Sequence, residues 1–235
     1  MKQAWMYDEF VHTGTDFSDI KKVEAYDAKM SKFRDYGKES ELILDALEIT
    51  QDDTLLEIGT GTGHFARAAA GRCKRVYAAD VSKPMLEYAR SKAEKEGISN
   101  IEWVHAGFLS CDFHGIKFDG IVSNAALHHL PDLWKAVALG RVYGSLKPGG
   151  RFFLGDVVFS CGIGEIEPRA KAWIDGYEAI DKELHREAAE HLKKEYSTFS
   201  WVLEGMLDRA GFGYRILADS NNFMAYLCTR DWRRE

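Results

Sequence analysis

Five apolar runs between residues 54 and 158 alternate with stretches of helical periodicity, and this rhythm constrains the fold more than any other feature of the chain. The runs are Thr54 to Ile58, Arg75 to Ala79, Ile101 to His105, Phe118 to Ser123 and Arg151 to Val158. Strands separated by amphipathic helices pair in parallel through right-handed crossovers. The expected core is therefore a parallel sheet covered by helices on both faces. Lys147-Pro148-Gly149-Gly150 ends a helix and turns into the fifth run.

Beyond Val158 the rhythm breaks. Residues 160 to 197 contain no obvious strand, and EPRAKAWIDGYEAIDKELHREAAEHLKKEY is charged with helical periodicity, which reads as a helical insertion. A helix from about Thr198 to Ala210 stops at Gly211, and the runs Tyr214 to Ala218 and Phe223 to Thr229 are close enough to form an antiparallel hairpin, bringing the sheet to seven strands. Upstream of the first strand, residues 18 to 49 read as helical. Tyr26, Met30, Phe33 and Tyr36 share one face there, and Leu42, Ile43, Leu44 and Leu47 belong to a second helix. The expectation is a single α/β domain over residues 1–235: a helical lid (1–49), a ligand-binding core (50–158), a helical cap (159–197) and a last helix with closing hairpin (198–235).

Composition narrows the partners. Hydrophobic residues at 46% and charged residues at 29% fit a globular chain and exclude a disordered or fibrous one. A net charge of −6 gives no general attraction to nucleic acid or anionic lipid. MKQAWMYDEF is too polar for a signal peptide, and no run approaches the roughly 20 apolar residues of a membrane span, so a cytoplasmic location is expected. Cys73, Cys111, Cys161 and Cys228 are scattered without a CxxC pair, so neither a disulfide framework nor a metal site is expected.

The first strand runs into glycines at every second position, in TLLEIGTGTGHFARAAAG. Unpaired amides at the start of the following helix, exposed by Gly59, Gly61 and Gly63, make a cradle for a nucleotide-like ligand. Glu57, two residues before the first glycine, decides its charge. A pyrophosphate is disfavoured beside a carboxylate, which counts against a dinucleotide. A cationic ligand reverses the sign, and S-adenosylmethionine carries an ammonium, a sulfonium and no phosphate. Asp80, ending the second run, supplies the carboxylate needed to accept from two ribose hydroxyls.

Taken in order, LLEIGTGTGHFA, YAAD, FDGIVSNAALHHL and LKPGGRFFLGD resemble the motifs of class I S-adenosylmethionine-dependent methyltransferases, particularly the small-molecule branch that includes ubiquinone and menaquinone biosynthesis enzymes. The resemblance is strong over residues 38 to 158 and looser over 198 to 229. It implies a Rossmann-like fold in which Glu57, Gly59, Thr60, Gly61 and Gly63 line the methionine part and Asp80 binds the ribose. Val81 and Met85 are expected near the adenine or ribose, Tyr26 in a lid over the cofactor, and Asn124 to offer its carbonyl or side chain to the amino group. After the third strand the family commonly has an acid that accepts from the adenine amino group. Gly107 stands there instead, leaving Asp112, Ser110 or the Phe108 backbone to substitute.

Methyl transfer is an in-line displacement that needs alignment, exclusion of water and, for a protonated nucleophile, a base. His128 or His129, after the fourth strand, and Asp156, ending the fifth, are the candidates for that base, with Asp156 also a candidate anchor for a substrate amine. Trp173 and Tyr177 of the insertion are candidate substrate contacts, and the upstream aromatics Tyr7, Phe10 and Tyr26 candidate lid residues. Three alternatives remain at this level: a protein methyltransferase, an RNA methyltransferase and a non-catalytic binder of the cofactor. Ser123-Asn124-Ala125-Ala126 replaces the proline-rich turn of amino-methylating nucleic-acid enzymes, and no Pro-Cys nucleophile occurs.

Overall fold

The computed structural model describes residues 5–11, 13–14, 17, 19–32, 34–113, 115–220 and 222–231, so the expectation for Phe33 falls outside the described residues. β1 (Thr54–Ile58) lies mid-sheet because both of its faces are apolar: Leu55 packs toward one layer of helices, Leu56 and Ile58 toward the other. β2 (Arg75–Asp80) and β3 (Ile101–His105) extend the sheet on one side, and β4 (Phe118–Asn124) and β5 (Leu146–Phe159) on the other, all parallel. β7 (Gly213–Ser220) and β8 (Phe223–Thr229) close it as an antiparallel hairpin, giving the order β3-β2-β1-β4-β5-β8-β7. Strand order reverses between β1 and β4, and in open α/β sheets ligands bind beyond the strand ends at that reversal.

Two details depart from the sequence reading. β5 starts at Leu146, five positions early, because Leu146 pairs with Phe118 and the register then shifts before Arg151 pairs with Gly120. Pro148 and the two glycines are thus taken up as an irregularity inside a strand edge, with Gly149 at φ 78 donating to the Arg230 carbonyl. A two-residue strand β6 (Thr198–Phe199) also pairs with the end of β5, so the last long helix begins at Ser200.

Helices cover both faces. α2 (Tyr36–Leu47) and α3 (His64–Ala70) bury Ile43, Leu44, Phe65 and Ala69 against Leu55, Val76 and Val122. On the far side, α5 (Asp132–Ser145) and α8 (Ser200–Ala210) pack Leu139, Leu203 and Leu207 over Ile121, Phe152 and Tyr226. Each such leucine contributes about 1.5–3 kcal/mol by leaving water. α4 (Lys83–Lys95) starts behind β2, where Ser82 accepts from the Met85 amide and Pro84 occupies the first turn.

The remaining helices stand over the carboxyl ends of the strands. α1 (Ile20–Met30) is capped by Asp19 and held to the core through Asp27, which accepts from Thr62 Oγ1 at 2.6 Å and from Lys92. Burial raises the Asp27 pKa, but His64, Lys92 and Thr62 outweigh it and hold the carboxyl well below the usual range. The insertion forms α6 (Ile166–Glu178) and α7 (Lys182–Lys194), packed around Trp173, which touches Phe159, Tyr177 and His191. Lys29–Glu187 at 2.7 Å and Lys32–Asp181 at 2.5 Å connect α1 to the start and middle of α7.

Candidate active site

The turn after β1 is built by backbone geometry that an L side chain resists. Gly59, at φ 83, comes so close to the β4 turn that a Cβ there would meet the Ala126 methyl at 2.4 Å. Its amide and that of Thr60 both donate to the Ala79 carbonyl, at 2.8 and 3.0 Å. Gly61, at φ 53, has nothing within 4 Å of its missing Cβ, because the space on that side is the cleft.

Two buried carboxylates flank this turn. Asp80 accepts from the Gly61 amide through Oδ2 and from the Ser82 amide through Oδ1, each at 2.8 Å. Glu57 is 5% exposed and accepts from Thr60 Oγ1 at 2.5 Å. Burial first, and then the neighbouring Asp80, push its pKa up to about 8 despite that bond.

The other walls follow from the strand ends. Val81 and the buried Met85 line the cleft beside Asp80, and the buried Phe108 and Gly107 line it after β3. Asn124 and Ala125, at the end of β4, face it from the opposite side. Ala125 holds φ 58, a left-handed conformation costing a non-glycine residue about 1–3 kcal/mol, fixed by its amide bonding to Gly155 at 2.8 Å. Asn124 Oδ1 is buried with no hydrogen-bond partner among the described groups, an acceptor that an amino group of a ligand could satisfy. A bare amide turn, two carboxylates and an orphaned acceptor fit the methionine, ribose and ammonium groups of S-adenosylmethionine.

Gly63 is the exception among the glycines. It starts α3 at φ 74 and does not line the cleft; a Cβ there would meet the Ala89 methyl at 2.8 Å, so its role is close packing of α3 on α4.

Several cleft residues escape sequence reasoning, Phe17, Arg34 and Glu39 among them, and Glu9 is the most informative. Glu9, from the segment before α1, places its carboxylate beside Gly107, where a Cβ would lie 2.5 Å from Oε2, and accepts from the Leu109 amide at 3.0 and 3.1 Å. An acid therefore does stand after β3, supplied by a residue about 100 positions upstream. The signal was the glycine itself, which leaves room for another segment's side chain. Ser110 accepts from the Gly107 amide at 2.9 Å and so is spent on the turn.

A second cavity adjoins the first, sharing Phe17, Tyr26, Arg34, Glu39, Ala125 and His129 with it. Its far wall comes from the insertion and includes Trp173, Tyr177, Leu184, Ala188 and His191. Tyr26, whose pKa is raised by burial, stands at the junction. Tyr7 lies outside the cavities and donates to the His129 carbonyl at 3.1 Å, and Phe10 packs on His105 at 5.0 Å between ring centres.

His128 and Asp156 are brought together. The His128 amide donates to Asp156 Oδ2 at 2.9 Å, and Nδ1 meets Oδ1 at 2.5 Å, with both residues buried. His128 lines the second cavity, whereas Asp156 sits behind it. On its other side His128 Nε2 lies 3.2 Å from Glu195 Oε2. Burial disfavours the imidazolium, but the Asp156 and Glu195 carboxylates prevail and hold the His128 pKa up, to about 10. His129 moves the opposite way, down to about 3, through burial and the charge of His128.

Residues 55–150 match a family described as a methyltransferase domain. A methyltransferase of Anoxybacillus flavithermus without an assigned substrate is 32% identical over 209 residues, covering 85% of this chain and 91% of the relative. The ubiquinone/menaquinone biosynthesis C-methyltransferase UbiE of Klebsiella pneumoniae is 32% identical over 185 residues, covering 72% of this chain and 70% of that protein. Among solved structures, YcgJ of Bacillus subtilis has the same fold at TM-score 0.67 and 17% identity, over 83% of this chain and 99% of its own. Haemonchus contortus phosphoethanolamine N-methyltransferase 2, solved in complex with S-adenosyl-L-methionine, reaches TM-score 0.68 at 15% identity, over 92% of this chain and 60% of its own. With a relative matched at such identity along nearly its whole length, the chain belongs to the class I S-adenosylmethionine-dependent methyltransferases and uses S-adenosylmethionine as its cofactor.

Proposed function

We propose that the protein methylates a small molecule held in the second cavity, with the donor in the glycine-turn cleft. The observation that carries this reading is the second cavity itself, which lies between α1 on one side and α6 and α7 on the other and joins the glycine-turn cleft at Phe17 and Tyr26. A pocket walled by aromatic and apolar side chains with a few polar groups suits a compact acceptor. The negative net charge of −6 points the same way.

Bound S-adenosylmethionine supplies the electrophilic methyl group. The chain's own residues align and shield. Glu57 and Asp80 hold the charged and ribose ends of the donor, Asn124 takes an amino hydrogen, and Glu9 with the Phe108 backbone edge recognises adenine. Tyr26 and Phe17 separate the two cavities and exclude water from their junction. Asp156 fixes the ring orientation of His128, which presents Nε2 at the acceptor wall. Alignment and dryness supply most of the rate, since displacement at carbon needs little else from the protein.

Incubation of the protein with methyl-labelled donor and a whole-cell extract is expected to label the small-molecule fraction. Label confined to polypeptide or RNA would overturn the acceptor class.

In the protein on its own, Glu57 keeps its proton up to about pH 8, against 4.5 for an ordinary glutamate. Between those values the folded chain holds more protons than the unfolded one, so this residue's contribution to stability falls as pH rises through the window. A cation beside Glu57 favours the carboxylate, so cofactor binding within the window releases a proton and affinity climbs until about pH 8. Titration calorimetry in buffers of different ionisation enthalpy measures that proton. The release is expected to vanish in Glu57→Gln, and equal release by both proteins would contradict the assignment.

Glu9→Ala is expected to weaken S-adenosylhomocysteine binding by about 1–3 kcal/mol, the range for a hydrogen bond to a charged group. It is also expected to narrow the preference for the adenosyl over the inosyl analogue. Unchanged affinity and preference in the folded variant would remove Glu9 from the adenine site.

A further inference from the structure

His128 lies more than sixty positions from His191 and Glu195, yet one ligating atom from each of the three falls within 4.8 Å of the others, the one such trio among the described residues. His128 Nε2 is 3.2 Å from Glu195 Oε2, and His191 Nδ1 contacts the same oxygen. From this convergence we infer that the three side chains bind a divalent transition-metal ion, zinc being the natural choice, on the wall of the second cavity.

The orientation of the two rings carries the inference beyond proximity. Metal-binding imidazoles usually hand their second nitrogen to a carboxylate or another polar group, which sets the tautomer and aims the lone pair. His128 does so through Nδ1, 2.5 Å from Asp156 Oδ1. His191 does so through Nε2, 2.6 Å from Ser197 Oγ. In each ring the remaining nitrogen is the one that faces Glu195.

The scaffold supports the same arrangement. His191 and Glu195 are four residues apart at the end of α7 and therefore share a face. The next residue, Tyr196, donates its amide to the His128 carbonyl at 2.7 Å, which fastens the end of α7 to the turn after β4. The side chains are dry: 8% exposed for His128, 7% for Glu195 and 12% for His191. A divalent ion also balances the two carboxylates, Asp156 and Glu195, that the cluster buries.

The donor set selects the ion. Two imidazole nitrogens and one carboxylate suit zinc or cobalt, whereas magnesium and calcium take mainly oxygen. Three protein ligands leave a fourth position, and all three residues line the second cavity, so that position opens on it. The sequence-based expectation of no metal site considered cysteine spacing, and this site uses none.

The catalytic use of the ion rests on the function proposed above; its binding does not. An acceptor hydroxyl or thiol at the fourth position has its pKa lowered by the ion and releases its proton to water. Its lone pair forms the new bond to the methyl carbon as the donor's sulfur–methyl bond breaks, with that electron pair left on sulfur. The acceptors favoured are therefore alcohols, phenols and thiols.

The test is titration of the full chain, stripped of metal by chelation, with zinc chloride by calorimetry and with cobalt chloride by visible absorption. Wild type is expected to bind one equivalent and to give the d–d bands of a low-coordinate cobalt site. His191→Ala with Glu195→Gln is expected to lose that equivalent. Ser197→Ala, a milder change that keeps every ligand, is expected to weaken it by about 10- to 100-fold. Affinity for S-adenosylhomocysteine, measured on the same proteins, is expected to stay constant, which separates loss of the metal site from failure of the cofactor reading. Absence of a stoichiometric ion in wild type, or equal binding by wild type and the double variant, would overturn the proposal.

Discussion

The structure turns on the Asp80 carboxylate. Its two oxygens accept from the Gly61 amide of the β1 turn and the Ser82 amide at the start of α4, so one side chain ties two adjacent strand ends together. Charged acceptors make such bonds worth about 1.5–3 kcal/mol each, enough to hold a glycine-rich loop that has little other reason to keep one shape. The same carboxylate faces the cleft, so what holds the loop also sets the field a ligand meets. Glu57, buried a few residues away, is pushed toward the neutral acid by burial and then by the Asp80 charge, and becomes a second negative charge only when a cation offsets both. In the protein on its own the cleft therefore carries one charge and one neutral acid, and a bound cation favours the ionised form of the second.

The second cavity is built differently. No single strand end forms it; α1 and the two insertion helices line it together with the ends of β4 and β5. The ion pairs joining α1 to α7 are unequal. Lys32–Asp181 is substantially exposed and contributes little, while Lys29–Glu187 is more sheltered. Most of the cohesion comes from apolar contact around Trp173, Phe159 and Tyr177, and the ion pairs fix where α1 sits relative to α7.

What the sequence revealed follows the range of the interactions involved. Strand periodicity, glycine spacing and the acid at the end of β2 are local, and the parallel sheet with its terminal hairpin was legible from them. The early start of β5 was hidden because Lys147-Pro148-Gly149-Gly150 has turn chemistry, yet Leu146 pairs with Phe118 before the bulge. Glu9 against Gly107 and His191 with Glu195 against His128 are contacts between segments distant along the chain, which no local pattern encodes. Gly107 left a trace as a missing acid; the spacing of His191 and Glu195 on one helical face left another, fainter one. Gly63 was read as cofactor-lining from its place in the motif, but it packs α3 on α4 instead.

Calorimetric titration of the wild-type chain with S-adenosylhomocysteine and, separately, with NAD tests the electrostatic account most directly. Both ligands offer an adenosine, and only NAD brings a pyrophosphate to the buried carboxylates. The account predicts saturable binding of the homocysteine nucleoside and none of the dinucleotide. Binding of NAD as tight as that of the nucleoside would contradict it.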